Sequence, residues 1–263
     1  LMLVDRHEAA GIEVTVRTTT LSEQAYPGLL RCVEIKNTGL QPLDLEALDG
    51  AAEIVPQGFI DWFIKHIPRT TEAWVTVENM DQGHPFVKLK VIPSDHPETI
   101  YHQRGNGVAC YNSAPRHRIL VDPAAVFAAD SALGVPEAFL SGQSWTVTQR
   151  LQNIMPCVFQ LAQQQLEPGA SLQLNMLITQ TPDLPSFQSV AASWVSQDFF
   201  HQQFQKNRKL FCDLTRGAWM RSGLPVLDAY TRQTLLDNIL RGGQPQLLAT
   251  KQGLKGFYAY TRK

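Results

Sequence analysis

The feature that most constrains the fold of this chain is a set of short segments in which apolar and polar residues alternate. The clearest is 172–178, LQLNMLI, which follows the turn at Glu167-Pro168-Gly169. Similar segments lie at 12–16, 32–35, 43–47, 74–80, 87–91, 119–121, 145–148 and 158–161. Because a strand directs successive side chains to opposite faces of a sheet, this pattern predicts packed antiparallel strands. We therefore expect a mainly β fold, a large antiparallel β-sandwich, without the intervening helices of a parallel α/β fold.

The spacing of apolar residues changes after Pro185. From Phe187 to Leu214 they recur every three or four positions with no proline or glycine, which predicts one long helix or two with a short break. A further helix is expected from Ser222 to Gly243, with Asp228 and Arg232 placed to pair along it. The predicted organisation is a sandwich domain (1–182), a helical linker (183–217) and the start of a helical domain (218–263), as in the front part of a longer protein.

Composition limits the partners and the compartment. The 23 basic and 24 acidic residues give a net charge of −1, so there is no electrostatic case for nucleic acid or an anionic membrane as partner. No apolar run approaches membrane-spanning length and no signal peptide is visible, which predicts a soluble protein. The four cysteines are widely spaced, as expected of free thiols in the cytoplasm.

The common catalytic signatures are absent from the sequence. It contains no phosphate-binding GxxxxGK, no GxSxG, no HExxH and no paired CxxC. We therefore assign no metal ligand and no cofactor to this chain, and no catalytic residue can be named from these patterns. Glu72 and Glu78 are expected in one strand, on the same face.

The segment 54–70 combines aromatic and hydrogen-bonding residues, including Asp61 and Trp62. A pyranose ring has an apolar face and a polar rim, so this combination is typical of a sugar-binding loop. The alternative, which composition alone favours, is a loop that packs Phe59, Trp62 and Phe63 against the edge of the sandwich.

A second candidate loop, 101–113, carries His102, Arg104 and Asn106 around two glycines. These residues suit carbohydrate binding, and they equally suit a polar hairpin tip. At the end of the last predicted helix, Arg241, Gly242 and Gly243 form a candidate phosphate or anion site. The alternative is a cationic helix terminus followed by glycine caps.

Four segments, in this order, carry a resemblance to a known family: ALDGAAEIVPQG (47–58), RTTEAWVTVENM (69–80), LEPGASLQLNMLI (166–178) and LDAYTRQTLLDNILRGG (227–243). Together they resemble the N-terminal region of glycoside phosphorylases of the cellobiose phosphorylase type and of their large relatives. The last segment differs from the version rich in asparagine and tryptophan that characterised phosphorylases carry. Phosphorolysis and hydrolysis therefore both remain open.

The resemblance implies a galactose-mutarotase-like sandwich, a helical linker and an (α/α)6 barrel that carries the catalytic aspartic acid beyond Lys263. It also implies an oligosaccharide substrate, inorganic phosphate as a second reactant, and a homodimer formed through the sandwich, with Asp61-Trp62 or His102-Arg104 as a loop lent to a neighbouring active site. On this interpretation the chain alone is non-catalytic. The alternatives are a stand-alone carbohydrate-binding module and an aldose-epimerase-like protein.

Overall fold

A computed structural model describes residues 1–56, 59, 61–91, 97–98, 107–112, 117–194, 196–240, 246–251 and 253–257. The chain divides into two compact units, Leu1–Gln203 and Phe204–Lys263. None of the helices in the described part of the chain has the length and apolar character that crossing a bilayer requires.

The first unit is built on two antiparallel sheets, as the alternating segments predict. Its strands are β1 (Met2–His7), β2 (Ile12–Thr20), β3 (Gly28–Asn37), β4 (Leu43–Ala51), β5 (Val75–Glu78), β6 (Phe86–Leu89), β7 (Gly107–Asn112), β8 (His117–Leu120), β9 (Val158–Leu166) and β10 (Ser171–Thr181). Seven form a sheet in the order β1-β2-β3-β10-β7-β6-β5, and three form a second sheet in the order β4-β9-β8.

The two sheets bury their facing sides against each other. Near one end, Val33 and Leu174 of the larger sheet pack with Ala162 of the smaller sheet. Near the other end, Val77 and Val87 pack with Ile119. This shared apolar interior, which removes alternating side chains of both sheets from water, is the main stabilising contact of the unit.

Helices contribute more to the first unit than the sequence pattern predicts. They are α1 (Asp61–His66), α2 (Pro68–Trp74), α3 (Ala124–Phe127), α4 (Glu137–Leu140), α5 (Leu184–Trp194) and α6 (Gln197–Leu214), the last of which continues into the second unit. The predicted strand at 145–148 is wrong, because a 3-10 helix covers Gln143–Trp145. The segment 54–70, expected to be a loop, contains α1 and the start of α2. Helices of one or two turns are too short to show a helical period, so the sequence pattern does not distinguish them from a strand or a loop.

The predicted helical segment from Phe187 to Leu214 forms two helices, α5 and α6. Helix α5 and the first residues of α6, up to Gln203, cover the outer face of the larger sheet, where Leu30 and Leu177 are completely buried against Trp194 and Phe200. Gln203 of α6 also holds the loop between β2 and β3 in place, because its Oε1 accepts a hydrogen bond from the Ser22 backbone N–H at 2.9 Å.

The second unit contains α7 (Pro225–Leu240) and a hairpin of β11 (Gln246–Thr250) and β12 (Gly253–Phe257). Asp228 stabilises the start of α7, where its Oδ1 accepts hydrogen bonds from the Ser222 backbone N–H at 3.0 Å and the Ser222 hydroxyl at 2.7 Å. No residue of α7, all of which lies in the described part, is buried. The apolar side chains Val226 and Tyr230 are 83% and 67% exposed.

Candidate functional site

Trp62, one of the predicted sugar-binding residues, lies on the surface of α1. Its indole is 52% exposed and stacks on the His66 ring, with centroids 4.9 Å apart and an interplanar angle of 14°. Phe59 from the same segment packs instead against the core between the sheets. The segment therefore divides its aromatic residues between interior and surface. Asp61 is the first residue of α1, and its side chain lies outside the described part.

A row of aromatic rings connects α1 to α2. Trp62 meets Phe63 edge to face at 5.8 Å, and Phe63 meets Trp74 in the same way at 6.0 Å. Edge-to-face pairs at these distances are favourable, which fixes the two short helices against each other. Because α2 also carries Glu72, this row ties the exposed indole of Trp62 to the cleft in which Glu72 lies.

That cleft, in the first unit, has a volume of about 370 Å³. It is formed by Ala52, Glu53, Glu72, Pro123, Ala124, Ala128, Ala129, Asp130, Ser131, Leu133, Arg150, Asn153, Ile154 and Met155. The volume lies in the range of natural ligand pockets. Small apolar side chains form much of the surface, and the charged groups are few.

Arg150 is held at the cleft by the buried carboxylate of Asp122. The Arg150 Nε donates to Oδ2 at 2.8 Å and its Nη2 donates to Oδ1 at 2.8 Å. The backbone N–H groups of Arg150 and Ala124 also donate to this carboxylate, at 3.0 and 3.1 Å. The Asp122 side chain is only 4% exposed, whereas that of Arg150 is 61% exposed. A bidentate contact of this kind fixes the guanidinium plane while leaving its outer edge accessible.

The hydrogen bonds around Asp122 determine its ionisation. Burial raises the pKa of this carboxyl, but the hydrogen bonds from Arg150 and Ala124 and the charge of Arg150 outweigh it and hold the pKa below its ordinary value. The same contact raises the pKa of Arg150, and the charges of Asp122 and Glu72 act in that direction too. Asp122 and Arg150 therefore form a fixed ion pair, of which Arg150 lines the cleft.

The loop from Asp130 to Val135 forms one wall of the cleft. The Asp130 carboxylate accepts hydrogen bonds from the backbone N–H groups of Ala132, Gly134 and Val135 at 2.8–2.9 Å. These bonds lower its pKa and hold the loop in a tight turn. The carboxylate of Asp130 is thus occupied by hydrogen bonds from the backbone, whereas Glu53 and Glu72 are the acidic groups available to a ligand.

Backbone strain is concentrated around this cleft. Three residues that line it, Ala128, Leu133 and Asn153, have positive φ angles of 52°, 56° and 59°. Residues other than glycine rarely adopt this left-handed region of backbone conformation, so the surrounding contacts must hold the backbone there. For Asn153 one such contact is visible, because its Oδ1 accepts a hydrogen bond from the Lys90 ammonium group at 2.7 Å.

The sequence analysis did not identify this cleft. Glu72 was expected in a strand beside Glu78; that placement is wrong, since Glu72 lies in α2 and Glu78 in β5 pairs with Lys88 at 2.8 Å. Asp122 and Arg150 are 28 residues apart, and no local pattern links them. One signal was present: Glu53 and Glu72 belong to two of the segments that carry the family resemblance, and these two segments meet at the cleft.

The other predicted site residues are not brought together by the described structure. His102, Arg104 and Asn106, and likewise Arg241, Gly242 and Gly243, lie outside the described residues. Within the ranges that are described, no group of three or more His, Cys, Asp or Glu side chains is arranged to hold a metal ion.

The second unit has a smaller aromatic cluster around Arg232. The guanidinium carbon of Arg232 lies 5.2 Å from the centroid of the Phe211 ring and 5.3 Å from that of Trp219. Asp228, the expected partner of Arg232, is instead bonded to Ser222. This cation–π contact fixes α7 within its own unit.

Comparison with models of known protein families finds no match for this chain, and comparison with curated proteins finds none.

Proposed function

We propose that this chain is the N-terminal, non-catalytic portion of a carbohydrate-active enzyme that acts on glycosidic bonds. In this proposal, the two packed sheets correspond to a galactose-mutarotase-like sandwich. Helices α5 and α6 correspond to a linker, and α7 to the first helix of an (α/α)6 barrel. Oligosaccharide is the substrate, phosphate or water accepts the glycosyl group, and the compartment is the cytoplasm.

The convergence of the resemblance segments on one cleft is the observation that carries this proposal. Segments 47–58 and 69–80 are separate in sequence, yet Glu53 from one and Glu72 from the other line the same surface. The indole of Trp62, which stacks on His66, remains 52% exposed on the helix that packs beside α2. Carboxylates, a guanidinium and an accessible indole are the groups with which proteins bind sugars.

The test is an assay of glycosidic bond cleavage with the full-length protein. It is incubated with a panel of disaccharides, with and without inorganic phosphate, and the products are separated as free sugars and sugar 1-phosphates. We expect cleavage by the full-length protein and none by residues 1–263 alone. Formation of a sugar 1-phosphate only when phosphate is present identifies phosphorolysis, and free sugars alone identify hydrolysis.

A stand-alone carbohydrate-binding module is the second candidate, because the exposed indole of Trp62 does not require a catalytic partner. It predicts that the full-length protein binds oligosaccharides and cleaves none of them. Failure of the full-length protein both to cleave and to bind any sugar in the panel contradicts both proposals.

A further inference from the structure

The cleft offers hydrogen-bond donors from the fixed guanidinium of Arg150 and acceptors from two glutamates. A guanidinium group has five N–H groups. Two of those in Arg150 bind Asp122, which leaves three for a ligand on a side chain that is 61% exposed. The acceptors are the carboxylates of Glu53 and Glu72, which belong to different segments of the wall.

A hydroxyl group matches this arrangement because it donates and accepts at once. It can accept from the Arg150 guanidinium and donate to a glutamate at the same time. A ligand with several hydroxyl groups can therefore use the donors and the acceptors of the lining together.

The charges that line the cleft restrict the class of ligand further. Three carboxylates, those of Glu53, Glu72 and Asp130, line the cleft together with one guanidinium, that of Arg150. The excess of negative charge repels phosphorylated ligands. The Arg150 cation is already paired with Asp122, so the lining does not select against an ammonium group on the ligand. The class that the cleft accepts is therefore a polyhydroxylated molecule without an anionic group.

The size and the remaining lining suit a sugar ring. The cleft has a volume of about 370 Å³, and its apolar surface comes from small side chains such as Ala52, Ala124, Ala128 and Ala129. Short side chains leave space for the C–H face of a ring, and Pro123 and Ile154 add apolar contact.

We propose that this cleft is a binding site for a saccharide without an anionic group, in which Arg150 donates to, and Glu72 and Glu53 accept from, the sugar hydroxyl groups. The inference rests on the proposed function for its ligand class. It places the site in the first unit, and it assigns Asp122 as the positioning residue that orients Arg150.

The decisive experiment measures sugar binding to the intact chain by isothermal titration calorimetry. The probes are glucose, cellobiose, glucose 6-phosphate and glucosamine. We expect binding of a neutral sugar, with affinity that changes little as ionic strength rises, and binding of the phosphate at least about tenfold weaker. We expect glucosamine to bind at least as tightly as glucose, because the lining has an excess of negative charge. Binding of glucose 6-phosphate as tight as that of glucose overturns the inference.

Ala129→Trp tests the location, because its large side chain fills the cleft from an exposed position. The matched control is Ala132→Trp, at an exposed residue of the same loop that does not line the cleft. Loss of binding in Ala129→Trp alone supports the proposal. Binding that persists in Ala129→Trp overturns it.

Glu72→Gln tests the chemistry without changing the shape. It removes one charge-assisted acceptor, and we expect about tenfold weaker binding of the neutral sugar. Glu137→Gln, at an exposed glutamate on α4 that does not line the cleft, is the control and leaves binding unchanged. Equal affinity of Glu72→Gln and wild type overturns the assigned role.

Failure of this inference is distinguishable from failure of the proposed function. If the full-length protein cleaves glycosidic bonds and sugar binding to the chain is lost in Trp62→Ala but kept in Ala129→Trp, the proposed function stands and the cleft is not the site. If the neutral sugars bind in the cleft and no bond is cleaved, the cleft stands and the enzyme proposal fails.

Discussion

Arg31 of the larger sheet crosses the interior of the first unit and pairs with Asp49 of the smaller sheet, with Nε 2.9 Å from Oδ1. The carboxylate is almost entirely buried, and burial raises its pKa despite the opposing charge and hydrogen bond of Arg31. Gln160 lies directly opposite Asp49 on β9 and is completely buried. A polar cluster thus interrupts the apolar core between its two ends.

The Arg31–Asp49 pair predicts a non-additive mutant cycle. Arg31→Met leaves the Asp49 carboxylate buried without its cation and should lower the free energy of unfolding by about 3 kcal/mol. The double variant, Arg31→Met with Asp49→Leu, removes both charges, and it should recover most of the lost free energy of unfolding. Urea denaturation of the single and double variants measures the coupling. If the losses add, the two side chains do not interact in solution.

Gly50 is required by the close approach of β4 to β9. A Cβ at this position would lie 2.1 Å from the Val158 carbonyl oxygen and 2.6 Å from the Phe159 Cα. Because both atoms belong to backbone, Gly50→Ala must separate the strands and should destabilise the unit by about 3 kcal/mol. Gly134→Ala is the control, since its Cβ meets only the Asp130 Oδ2 at 3.4 Å. Similar unfolding midpoints for the two variants would contradict the strand contact.

Asp122 predicts a loss of stability in acid. Its pKa in the folded protein is lowered, whereas an unfolded aspartate has a pKa of about 3.9. As the pH falls below about 4, the unfolded chain takes up a proton before the folded chain does, so stability decreases as the pH approaches the folded value. Asp122→Asn should flatten this dependence in urea titrations, and Asp44→Asn, at an exposed position on β4, should not. An unchanged slope in Asp122→Asn would show that other carboxyl groups cause the acid response.

The cysteines should differ in reactivity. Burial raises the pKa of Cys32 to about 12, with the charge of Asp49 acting in the same direction and that of Arg17 opposing it. Burial also raises the pKa of Cys157, whereas Cys212 is exposed. The thiolate is the reactive form, so iodoacetamide should modify Cys212 first and Cys157 only after unfolding. Peptide mapping by mass spectrometry resolves each site, and rapid native modification of Cys157 would contradict its burial.

Local sequence predicted the elements whose pattern is long. The alternation at 172–178 lies within β10, and the helical spacing from Phe187 to Leu214 corresponds to α5 and α6. It failed at α1, α2 and Gln143–Trp145, because one or two turns of helix are too short to show a period. The exposure of Trp62 depends on which side of α1 faces the core, and the residue types of the segment do not specify that side.

The sequence by itself determined that the first unit would be made of antiparallel strands, because the alternation of apolar and polar side chains is a property of neighbouring residues. It also determined which residue types are available for binding. Only the tertiary structure brought Asp122 to Arg150 and placed Glu53 and Glu72 around one cleft. The physical reason is that the cleft depends on contacts between distant segments, and these form only when the two sheets and their connecting helices bury a common core.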